Sequence, residues 1–321
     1  MRAAIDPAGH SEKVGRRLNL QLESPRAVED VETIAGILSV RDSLAVLGTQ
    51  LPGHIQALTG SHLERVKVLL DSPLGSTPDL FVFALVLVMS RLAAPWQLIR
   101  LATKAAGSDD AERVGETPYA LAVNIVLSEI ERMVAELASD LKSGRGIAVA
   151  ALLKDVHDAV RGLRSELDMS VESPWARQLA TVRADISKVL TAEIELTPGR
   201  VRRLMRPRAV REIAAGSVLD ADEVAETEAL IGFVTACRNY ASELAINEVT
   251  LRTFSELQQC LDTGTRTLLD AMRGAAPEER PFRQSQVDAA VRFCAKVFGQ
   301  EYASLLSKAA EVAAHDERKR A

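Results

Sequence analysis

The sequence predicts an all-α protein, an elongated multi-helix bundle whose two long C-terminal helices pack in an antiparallel, coiled-coil-like way. Three observations carry that expectation. A hydroxyl residue stands directly before proline at Ser24-Pro25, Thr77-Pro78, Thr117-Pro118, Ser173-Pro174 and Thr197-Pro198. Ser or Thr satisfies an orphan N–H at a helix start, and proline at the first helical position forfeits no hydrogen bond. From Ala221 to Arg273 there is no proline, glycine occurs only at 232 and 264, and apolar residues recur every three or four positions. Strand signals are confined to Arg17–Leu22 (RLNLQL) and the valine-rich Leu80–Met89, and Thr77-Pro78 favours helix for the second.

Taken in order, residues 1–23 read as a mobile arm. From Pro25 the positions Val31, Ile34, Leu38, Ala45 and Gly48 keep to one face, with Leu44 and Leu47 beside it, until Leu51-Pro52-Gly53. A shorter helix covers Ser61–Leu70, and Ser72-Pro73 with Gly75 reads as loop. The helix from Pro78 is apolar all round and should be central. Its run from Leu80 to Met89 falls far short of the roughly 20 residues that a membrane span needs. Ala94-Pro95 opens a further helix through Trp96, Ile99, Leu101 and Ala102, and Gly107–Gly115 (GSDDAERVG) reads as a linker. Pro118 begins a helix with Ala122, Ile125, Ile130, Val134, Leu137 and Leu141 inward, closed by Ser143-Gly144-Arg145-Gly146. Helices from Ile147 to Leu167 and from Pro174 to Leu196 complete three consecutive antiparallel neighbours.

Two readings stand for Ala221–Arg273. One is a single helix of about 80 Å; the other breaks near Asn247-Glu248, where polar residues enter the seam. The last helix, Gln284 to Ala314, repeats Val287, Val291, Cys294, Phe298, Tyr302, Leu305, Ala309 and Val312. That is a heptad seam with one extra residue between Phe298 and Tyr302. The expected divisions are thus residues 1–23, 24–107, 116–215 and 217–321, the last a long helical hairpin.

Apolar residues are 47% and charged residues 26% of the chain, ordinary for a folded globular protein. A net charge of −5 excludes a uniformly basic nucleic-acid binder and leaves room for a local basic patch. Cys237, Cys260 and Cys294 are odd in number and form no C-x-x-C pair, which points to a reducing compartment. With no signal-like apolar run over Met1–Leu22, a cytoplasmic protein without a transmembrane segment is expected.

The sequence carries no G-x-x-x-x-G-K-[ST], G-x-G-x-x-G, G-x-S-x-G, H-E-x-x-H or E-x-x-H pattern. The histidines, at 10, 54, 62, 157 and 315, are scattered. His157 is the best single candidate for a base or pH switch, with Lys154 and Arg161 on its own face. The plainer alternative is a partly exposed helical histidine beside Val156 and Val160. The cysteines fall on apolar seams, where the residue acts as a small hydrophobe. The sharpest signal is basic: Arg200, Arg202, Arg203, Arg206, Arg208 and Arg211 lie within PGRVRRLMRPRAVR. Guanidinium forks suit phosphate or carboxylate, and no aromatic residue interleaves for base stacking. Asp220, Asp222, Glu223, Glu226 and Glu228 follow directly and could serve as internal partners instead. The functional expectation is a non-enzymatic helical interaction or scaffold protein, without cofactor, that self-associates or docks protein partners. The alternative is an anion-binding protein using Arg200–Arg211 on nucleic acid or an anionic membrane surface.

Overall fold

The computed structural model describes residues 25–72, 75, 78–142, 146–214 and 216–315. The expected arm, the Arg17–Leu22 alternation, His10 and most of the turn after Leu141 lie outside the described residues. The protein is all-α: among the described residues there are twelve α-helices, two 3-10 turns and no strand. Two compact units divide the chain, the first holding residues up to Glu129 together with Gly162–Ala176. The second holds Ile130–Arg161 together with Arg177 onward.

The first unit contains α1 (Pro25–Gln50), α2 (Gly60–Leu70), α3 (Pro78–Met89), a 3-10 turn at Pro95–Leu98, α4 (Ile99–Ala106) and α5 (Ala111–Gly115). Three longer helices, α6 (Ala120–Lys142), α7 (Gly146–Glu166) and α8 (Pro174–Met205), each begin in one unit and end in the other. Leu80, Ala84, Leu85 and Val88 of α3 are buried, as its apolar run demands, but Val82 and Val86 reach solvent. The helix is therefore not enclosed on every side. Buried Gln97 accepts the Leu58 N–H at 2.7 Å, and Tyr119, edge-on to Phe81, donates to Asp71 Oδ1 at 2.7 Å. Burial and the Asp71 carboxylate both push the Tyr119 phenol upward. Gly162 of α7 lies flat against Trp96, where an added Cβ would stand 2.2 Å from the indole. The stretch Gly107–Gly115 is not a linker. Asp110 caps α5 through Glu112 N, Ala111 and Val114 are buried, and Asp168 N donates to Asp109 O at 2.8 Å.

In the second unit α9 (Ala221–Tyr240), α10 (Asn247–Arg273) and α12 (Gln300–His315) all pack on α11 (Arg280–Phe298). Three sequence expectations change here. Thr197-Pro198 does not start a helix. Both residues are buried inside α8, and Thr197 Oγ1 donates to the Glu193 carbonyl at 3.1 Å. The Ala221–Arg273 stretch breaks, as the second reading had it, at residues 241–246. Ala245 there adopts φ 56°, and Arg183 Nε and Ser187 Oγ of α8 take the carbonyls of Glu243 and Ala245 at 2.8 and 3.2 Å. The last helix is two helices. Gly299, at φ 91°, separates α11 from α12 at the place where the heptad slips by one residue. Beyond it Ala303, Leu306, Ala310 and Ala313 are buried, while Leu305 and Val312, which the heptad placed inward, face solvent.

Candidate functional site

The Arg segment forms the C-terminal end of α8 and the loop after it, and α11 fixes both. Gln286, fully buried, donates through Nε2 to the Leu204 and Arg206 carbonyls, each at 2.9 Å. Buried Arg283 donates to the Arg208 carbonyl at 2.6 Å and lies beside Glu279. The Leu204 carbonyl is one of those that a helix end leaves without an intrahelical partner. Arg208 lays its guanidinium on the Phe282 ring at 4.8 Å.

Four of the remaining five cations meet carboxylates of the same chain. Arg200 pairs with Glu226 at 3.4 Å, Arg203 with Glu223, Arg202 with Glu256, and Arg206 with Glu212 at 2.9 Å. Two of these carboxylates belong to the acidic run after Asp220. Glu256 comes from α10 and was invisible in the sequence, because its partner lies 54 residues away. Asp220 caps α9 through the N–H groups of Asp222 and Glu223, and Glu228 binds Arg292. Arg211 lies exposed in the 3-10 turn Val210–Glu212. Arg202, Arg203, Arg206 and Arg208 nonetheless share one open basin of about 720 Å³ with Gly199 and a single carboxylate, Glu212.

His157 is not the partly exposed histidine that the plainer reading expected. It is buried against the Tyr240 ring, with 4.6 Å between centroids, and its Nδ1 lies 3.0 Å from Asp158 Oδ1. Burial would raise the Asp158 carboxyl, but hydrogen bonds from Lys154 and His157 outweigh it and hold the group below its usual value. Burial pushes the Cys237 and Cys260 thiols up and the Cys294 thiol up to about 12. All three are free thiols that stay protonated near neutral pH, and a protonated thiol is a poor nucleophile.

A second surface was hidden in what the sequence read as a core-facing stripe. Among the residues of α1 whose side chains are described, Ala35 and Leu47 are buried. Gly36 abuts Phe83 of α3 and Gly48 abuts Leu87, so the small residues form the contact with α3. Ile34, Ile37 and Leu38 are left 48%, 40% and 50% exposed. At 3.6 residues per turn these three share one side of the helix with Ala45, Asp30 and Arg41.

Among the described residues no group of three His, Cys, Asp or Glu side chains is placed to hold a metal ion, and no helix is long and apolar enough to cross a membrane. No protein-family model, curated protein or solved structure matches this chain.

Proposed function

We propose that this chain is a non-enzymatic helical interaction protein of the cytoplasm that self-associates through the exposed side of α1. The supporting observation is the strip Ile34, Ile37 and Leu38. Large apolar side chains cluster there on a helix whose buried residues, among those described, are Ala35 and Leu47, and contiguous exposed apolar surface of this kind marks interaction sites. The partner is a second copy, because the strip carries one acid and one base, Asp30 and Arg41, and can complement itself. Sedimentation velocity across the micromolar range tests this. The wild-type chain gives a species that grows with concentration. Leu38→Glu gives only monomer, with an unchanged melt because the residue is half exposed. A wild-type chain that stays monomeric throughout would defeat the proposal.

The second reading, anion binding, is favoured by one observation. Arg202, Arg203, Arg206 and Arg208 line one open basin beside Gly199 together with one acidic residue, Glu212. Exposed Arg–Glu pairs are weak enough to exchange for phosphate. Against it, four of the six arginines already have a carboxylate partner.

A further inference from the structure

We propose that two copies pair through antiparallel α1 helices about a two-fold axis at the height of the Ala35–Gly36 peptide, each Asp30 meeting the other copy's Arg41. The inference rests on the self-association reading and adds its orientation and register.

The argument begins with spacing. Asp30 and Arg41 are eleven residues apart, close to three full helical turns and about 16 Å along the axis, so both fall on one lengthwise line of the strip, between Ile37 and Ile34 around the helix. Ile34 and Ile37 lie between them with the same midpoint. A two-fold axis perpendicular to a helix reverses its direction and lays each edge beside its own copy. An axis at that midpoint therefore sets Asp30 level with Arg41 and Ile34 level with Ile37, twice over. The interface is isologous, as closed dimers require. It has an apolar centre of Ile34, Ile37 and Leu38 from both copies, and an ion pair at each end.

The parallel alternative puts Asp30 level with Asp30 and Arg41 level with Arg41. Like charges then face each other at both ends, which disfavours that orientation. Both charged groups are available for the exchange. Asp30 makes no ion pair with any described residue, and Arg41 touches only its neighbour Asp42 at 3.2 Å, both groups largely exposed. The contact that Gly36 makes with α3, on the far side of α1, is not needed.

Charge reversal on the full chain tests the register. Asp30→Arg places Arg against Arg, and Arg41→Asp places Asp against Asp, so each variant alone should dimerise at least roughly tenfold more weakly than wild type. The double variant Asp30→Arg/Arg41→Asp restores both pairs with their signs exchanged and should return to within about threefold of wild type. An equimolar mixture of the two single variants should form heterodimers, because every Arg then faces an Asp. Both positions are exposed, and far-UV circular dichroism melts of each variant should overlay. If the wild type associates but neither the double variant nor the mixture recovers, the antiparallel register is wrong while self-association stands. If the wild type never associates, the proposed function fails and the register fails with it.

Discussion

Leu305 and Leu306 are adjacent and chemically identical, and they should respond in opposite ways to the same substitution. Leu306 is 7% exposed and Leu305 is 66% exposed. Replacing Leu306 by alanine removes roughly three methylene equivalents from the core of the second unit. At about 0.8 kcal/mol each that is about 2.4 kcal/mol, and the cavity left behind adds to it, which agrees with the roughly 2–5 kcal/mol typical of buried Leu→Ala. Leu305→Ala should cost less than about 0.5 kcal/mol, as surface changes do. Both tryptophans, Trp96 and Trp175, lie in the first unit, so indole fluorescence does not report on α12. Urea unfolding followed by far-UV circular dichroism is the suitable assay, with the midpoint compared at equal slope. A Leu305→Ala loss equal to or larger than the Leu306→Ala loss would refute the break at Gly299 and restore one continuous heptad seam.

Gly162→Ala should destabilise the first unit by about 1–3 kcal/mol, since the new methyl must push Trp96 aside; an unshifted tryptophan-fluorescence melt would contradict this. Burial alone would raise the Asp71 carboxyl, but Lys67 and Tyr119 outweigh it and leave the group below its ordinary 3.8. A depressed carboxylate contributes stability that is present above the unfolded value and lost as pH falls through the folded one. The gap between wild type and Asp71→Asn should therefore be steady at neutral pH and shrink below about pH 4, as acid titration of the melting temperature would show. Changing Arg202, Arg203 and Arg206 together to Gln should lower stability only slightly, each exposed pair being worth at most about 1 kcal/mol, and added salt should narrow the difference. If affinity for DNA, RNA and anionic vesicles is the same before and after that change, the anion reading is wrong.

Local chemistry marked several helix starts. Pro25, Pro78 and Pro174 each begin a helix, and α6 starts two residues after Pro118. Thr197-Pro198 carries the same local pattern and lies inside α8, because a proline looks alike at a helix start and in an interior held by its neighbours. Of the candidate site, the six arginines and two of their carboxylate partners, Glu223 and Glu226, were legible. Glu256 and the grip of Gln286 and Arg283 on the chain were not, since those contacts join residues 54 to 82 positions apart.

Composition, proline placement and three-to-four spacing were sufficient for the all-α class, because those signals act within a turn or two of the chain. Burial was another matter. Ile34 and Leu38 satisfy the same periodicity as a core stripe, yet they face solvent, because at their level Gly36 lets α3 approach from another side. Leu305 satisfies a heptad that Gly299 interrupts and rotates by one residue. The turn at 241–246 holds because Arg183 and Ser187, about 60 residues earlier, take its carbonyls. Periodicity shows that a helix has an apolar side; which side is covered depends on contacts between residues far apart in the chain.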